Sequence, residues 1–130
     1  LILLDTHVAV WMTTDKRQLS DAAAAAIRGA SREGMGIAIA SSSLWEIAMM
    51  STNGQFRLPS SLTEYLSYME QVFVVIPITG TIAERATKFT SGFPDDPTDR
   101  IIGATSLVHN ASLVTKDKRM RMSKQVECIW

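Results

Sequence analysis

The sequence predicts an α/β protein built on a parallel central sheet of about five strands flanked by helices. Three observations lead there. Short, wholly apolar runs such as Leu1-Ile2-Leu3-Leu4 suit strands buried on both faces, not strands with one wet face. These runs alternate with longer segments that carry helix-start residues and apolar stripes of helical period. The 130 residues are 46% apolar and 20% charged, one domain's length with enough side chain for a core, so residues 1–130 are expected to form a single domain.

The elements follow in order. The first strand runs up to Asp5, and Thr6 to Met12 is a short helix before a polar turn through Lys16. Ser20-Asp21 supplies a capping hydroxyl and a first-turn acid for an alanine-rich helix to Arg32, with Gly34 just past its end. Met35 to Ala40 reads as the second strand. Ser43-Leu44-Trp45-Glu46 has capping-box spacing, which puts Glu46 in the first turn of a helix ending near Asn53-Gly54. Ser61 and Glu64 open another helix to about Met69, and the β-branched run Val72 to Ile76, stopped by Pro77, is the third strand. Thr79 to Lys88 is helical by pattern, and Thr90 to Pro94 is a loop by composition. Asp96-Pro97 is an N-cap with proline at the first helical position, opening a helix through Asn110. Ser112 to Thr115 is the fourth strand, a turn of helix follows Asp117, and Val126 to Trp130 is an edge strand.

Composition excludes several classes. A lone cysteine, Cys128, and two histidines allow neither a disulfide framework nor a Cys/His zinc site. Apolar runs fall well short of the roughly 18 residues that span a bilayer, so a soluble, cytoplasmic chain with no membrane partner is expected. Thirteen basic and thirteen acidic residues cancel. The distribution is uneven: residues 1–110 hold eight Lys/Arg against eleven Asp/Glu, whereas 111–130 hold five against two.

In open parallel sheets ligands bind beyond the carboxyl ends of the strands. That edge receives Asp5 after the first strand, Glu46 after the second, Asp99 near the start of the helix before the fourth, and Asp117 after the fourth. Each acid has a local explanation as a cap, a dipole partner or a turn residue. Together they predict a cation site, because clustered carboxylates stay ionised only around positive charge. An all-oxygen set suits Mg²⁺ or Mn²⁺, and such sites perform metal-assisted hydrolysis, most often of phosphodiesters. Thr6 and Thr115 carry hydroxyls that could orient a carboxylate or a water, and Asp96 is read as a helix cap beside the cluster. His7 is read as a packing or surface residue, and Arg100 as an ion-pair partner of a cluster acid. Trp11, Trp45, Met49 and Met50, at helical spacing, are read as core or interface packing. Lys116, Lys118, Arg119 and Arg121, with Lys124, surround Asp117 as a basic margin beside the acids.

The segments Leu3-Leu4-Asp5-Thr6-His7 with Trp11, Ser42 to Ala48, Leu58-Pro59, Asp96 to Thr105, and Leu113 to Asp117 resemble, in order and spacing, the PIN-domain family, and within it the VapC-type toxins of bacterial toxin–antitoxin pairs. The resemblance covers nearly the whole chain. It implies a three-layer PIN-like fold and a homodimer. It also implies Mg²⁺- or Mn²⁺-dependent endoribonuclease activity on RNA, and a cognate antitoxin that blocks the site. By the same resemblance the acids at Asp5, Glu46, Asp99 and Asp117 are the metal ligands and catalytic residues, and with RNA as the substrate Lys116, Lys118, Arg119 and Arg121 of the basic margin are RNA-binding candidates. The alternatives are a non-catalytic PIN-like interaction domain and a receiver-like Mg²⁺-binding signalling module. A receiver needs an acid after the third strand, where Pro77-Ile78-Thr79 stands.

Overall fold

The strand β1 (Ile2–Leu4) is buried along its length and lies at the centre of a five-stranded, all-parallel sheet of order β3-β2-β1-β4-β5, in a computed structural model that describes residues 1–130. β2 (Ile37–Ala40) pairs on one side with Leu3 opposite Ala38, and β4 (Ser112–Val114) on the other with Leu3 opposite Leu113. β3 (Val74–Ile76) and β5 (Cys128–Ile129) are the edges. The alternation expected of strands buried on both faces is clean. Ile2, Leu4, Ile39 and Val114 pack with one core, while Leu3, Ala38, Ala40 and Leu113 pack with the other.

The helices sort onto those two faces and give three layers. The first face carries α1 (Thr6–Thr14), α2 (Asp21–Arg32), α3 (Ser41–Thr52) and α4 (Leu62–Val72). The second carries α5 (Gly80–Ala86), α6 (Pro97–Val108) and α7 (Lys118–Ser123). After β3 the chain crosses the sheet to reach β4 on the far side of β1. The strand order reverses there, and the crevice between β1 and β4 is the place such sheets reserve for ligands.

Local chemistry sets most boundaries. Ser20, Ser61 and Thr79 accept from the backbone N–H three residues on, at 3.1, 3.2 and 3.2 Å, and cap α2, α4 and α5. Gly34, at φ +69°, ends the α2 turn in a conformation that disfavours a side chain, so β2 begins at Ile37 and not at Met35. α1 runs past Met12 through Thr14 and is followed by a 3₁₀ turn (Lys16–Gln18) capped by Asp15. Val72 belongs to α4, because Tyr65, Met69 and Phe73, spaced by four, form a stripe buried in the first core. The third strand therefore starts at Val74.

α3 departs from expectation at its start. Ser43 does not cap it; the helix begins at Ser41 with Ala40 at the N-cap and no side-chain cap bond. Ser43 is fully buried inside the helix and Glu46 lies beyond the first turn. The Ser43 hydroxyl instead meets Thr6 at 2.9 Å.

Candidate active site

Asp5 continues the ladder past β1, its N–H donating to the Val114 carbonyl at 3.0 Å, and then caps α1 by accepting from the Thr6 N–H at 2.8 Å. Its other carboxylate oxygen accepts from the Thr115 hydroxyl at 2.7 Å, so the acid is fixed across the β1–β4 crevice. The Thr115 oxygen in turn accepts from the Asp117 N–H at 2.9 Å, and Asp117 caps α7 by accepting from Met120 N–H at 2.9 Å. One threonine thus sets two of the acids.

A second threonine sets another. The Thr6 hydroxyl donates to Glu46 Oε1 at 2.6 Å. A hydroxyl has one proton, and an ionised carboxylate only accepts, so Ser43 is the donor in the Ser43–Thr6 bond. Asp96 caps α6, accepting from Thr98 N–H at 2.8 Å and Thr98 Oγ1 at 2.6 Å. Asp99, in the first turn of α6, receives no hydrogen bond that would favour its charge.

These acids line one cavity of about 330 Å³: Asp5, Glu46, Asp96, Asp99 and Asp117. His7, Trp11 and Lys116 complete the wall. Burial raises the pKa of Asp5 and of Glu46, against the lowering effect of their threonine partners. Asp99 is pushed up to about 7, by burial first and then by the charges of Asp5, Asp96, Glu46 and Asp117. Asp96 moves the other way, because the Thr98 hydroxyl favours its ionised form.

The donor set tests the cation reading. Five carboxylates share the cavity with a single lysine, and the charges of the other four add to burial in raising the pKa of Asp99. All-oxygen hard donors fit Mg²⁺ or Mn²⁺. No three of these groups stand at the spacing that would hold an ion among them.

The remaining sequence candidates separate. Lys116 lies in the cavity wall, its Nζ 5.6 Å from the centre of the Trp11 ring. Lys118 and Arg119 are exposed on α7. Arg121 donates to the Lys116 carbonyl at 3.3 Å and lines a different cavity, with Lys124, beside β5. Arg100 corrects the expected pairing: it bonds the Pro94 carbonyl at 3.0 Å and Asp95 at 3.2 Å, and not an acid of the cavity. Asp95 is exposed in the loop before α6, beside the Pro94 carbonyl that the same guanidinium already bonds, so it and not a cavity acid takes the ion pair. Trp45 and Met49, read as packing residues, are 64% and 41% exposed, whereas Met50 is buried. Sequence reasoning missed the role of Ser43, whose partner is 37 residues away.

Comparison with known proteins identifies the family. The PIN domain family model matches residues 2–124. The chain belongs to the PIN-domain family. It is similar to ribonuclease VapC22 of Mycobacterium tuberculosis, with 36% identity over 120 residues, spanning 92% of this chain and 89% of that protein. Among solved structures, this PIN domain resembles VapBC2 from Rickettsia felis bound to a DNA fragment from its promoter, with TM-score 0.69, 15% identity, and 98% and 96% of the two chains covered. It also resembles FitAcB from Neisseria gonorrhoeae, with TM-score 0.67, 18% identity, and again 98% and 96% covered. Those structures share the PIN fold with the three-layer arrangement described above.

Proposed function

We propose that this PIN-domain chain is a metal-dependent endoribonuclease, the toxin of a toxin–antitoxin pair, and that Asp5, Glu46, Asp99 and Asp117 hold Mg²⁺ or Mn²⁺ at its active centre. The observation that carries the reading is one cavity at the switch point of the sheet that receives these acids from separate elements. The relationship to a protein named as a ribonuclease supports the reaction class. The toxin–antitoxin complexes among the structural neighbours support a small inhibitory protein partner.

A divalent cation in such a site acidifies a water molecule and neutralises the charge of the phosphodiester. The protein's own residues do the rest. Thr115 and the Thr6 N–H hold both oxygens of Asp5, leaving its remaining lone pairs facing the cavity. Thr6, backed by Ser43, fixes one oxygen of Glu46 and leaves the other free. Asp99 has no protein partner and is the acid most available to a cation or to a proton. Lys116 supplies positive charge at the rim, where an incoming phosphate meets repulsion from the carboxylates.

The test is cleavage of total cellular RNA by the purified chain in Mg²⁺ or Mn²⁺, with and without EDTA, and with product ends mapped. Defined cuts that EDTA abolishes are expected. Intact RNA in both metals, or cleavage indifferent to EDTA, overturns the reading.

A further inference from the structure

We infer that a second cavity, which shares Trp11 and His7 with the carboxylate cavity, is a subsite for one unpaired nucleobase of the RNA strand, stacked on Trp11 and read at its edge by Gln18 and Gln55. This deepens the ribonuclease reading and rests on it. Trp11 lies one helical turn beyond His7 on α1, the ring centroids 5.8 Å apart and tilted by 51°, and both side chains are common to the two cavities. The second cavity holds about 310 Å³ and lies where the end of α1 meets the segment after α3, with Phe56, Gln18, Gln55 and Arg57 in its lining.

That lining fits a base better than a metal, a phosphate alone or an aliphatic side chain. Every base has a π-face, which stacks on an aromatic ring, and a polar edge, which primary amides match in donors and acceptors. The Trp11 ring also packs against Trp130, tilted by 50° with 6.1 Å between ring centroids. Asp15, the one acid in the lining, is paired with Arg17 at 2.9 Å. Lys116 stands over Trp11 on the side of the carboxylates, which places a cation where the strand passes from the stacked base toward the acids. A protein partner has other surface to use: exposed Trp45 and Met49 line a third cavity with Pro97.

The test uses the full chain carrying Asp5→Asn, which is expected to bind RNA without cutting it, and single-stranded oligouridylates with one 2-aminopurine at successive positions. Fluorescence quenching is expected at one position only. Adding Trp11→Leu should remove that quenching and weaken binding about tenfold or more, while Trp11→Phe should keep most of both. In parallel, the chain with native acids cleaves a randomised single-stranded RNA pool whose product ends are sequenced. Trp11→Leu should flatten the base preference at one position beside the cut, and Gln18→Ala or Gln55→Ala should change which base is preferred there, with other positions unaltered. If Trp11→Leu fails to fold, Trp11→Phe and the two glutamine variants carry the test. Quenching and preferences unchanged in the variants overturn the inference. So does an effect confined to inhibition by a protein partner, which would assign the cavity to that partner. Absence of any cleavage by the native acids refutes the ribonuclease reading instead, and the quenching arm still decides whether the cavity takes a base.

Discussion

Replacing Asp99 with Asn removes one charge from the cavity without breaking any hydrogen bond, because its side chain accepts none. Cleavage by Asp99→Asn and by Asp5→Asn should fall more than about 100-fold, beyond what loss of a supporting partner usually costs, and full activity in either would refute the ligand assignment. The same charge balance gives a pH dependence. The folded-state pKa of Asp99 lies near 7, above its ordinary 3.8, and those of Asp5 and Glu46 are also raised. Between those limits the unfolded chain releases protons that the folded chain retains, so metal-free stability falls as pH rises and levels off above about 7. Melting in EDTA should occur at a higher temperature at pH 5 than at pH 8, and excess Mn²⁺ at pH 8 should reverse the loss. A flat profile in EDTA would contradict the cause assigned here. Thr6→Val cuts the Ser43–Thr6–Glu46 chain while leaving Asp5 capped by the backbone. Metal affinity measured by calorimetry should drop about 10- to 100-fold, with Thr6→Ser close to native.

At the scale of the elements, α6 depends on a glycine for its fit. A Cβ at Gly103 would lie 2.7 Å from Phe93 and 2.8 Å from Phe89, two rings stacked 3.9 Å apart in the second core. Both rings are buried and packed against each other, so they have little room to yield, and the gain in helix propensity from Ala is less than the overpacking it causes. Gly103→Ala should lower stability by about 1–2 kcal/mol, read as a shift in the urea midpoint. For α7, exchanging both Lys118 and Arg119 for Ala should flatten the salt dependence of RNA affinity by roughly one to one and a half units if both reach phosphates; an unchanged slope makes α7 only a solvated surface. The helix starts were legible in the sequence because a hydroxyl or carboxyl bonding three residues ahead is a local event, as at Ser20, Ser61 and Asp117. Asp5 was legible for a similar reason, as a charge closing a wholly apolar run. Ser43 was not. Its spacing to Glu46 imitates a capping box, but the hydroxyl is claimed by Thr6 across the fold, and no local rule sees a partner 37 residues away. The Trp11–Lys116 contact escaped for the same reason, since each side chain alone reads as packing or as a solvated charge.

For the whole molecule, the apolar surface left open on one copy bears on assembly. Trp45 and Met49 on α3, and Tyr68, Val72 and Val74 around the β3 edge, are each more than a third exposed. Light scattering at micromolar concentration should report a homodimer, and a monomer would refute that expectation. No helix is long and apolar enough to cross a membrane. The bond between Thr115 and Asp5 joins positions 110 residues apart, and it closes the crevice between the two central strands. The crevice therefore cannot be completed piecemeal during synthesis. Until β4 has left the exit tunnel and docked beside β1, the early acids have no opposite wall, and a growing chain that is stalled or clipped before that point holds those acids without the crevice they share. Long-range closure of this kind is slow compared with forming a local helix, because the loop entropy must be overcome before the contact forms.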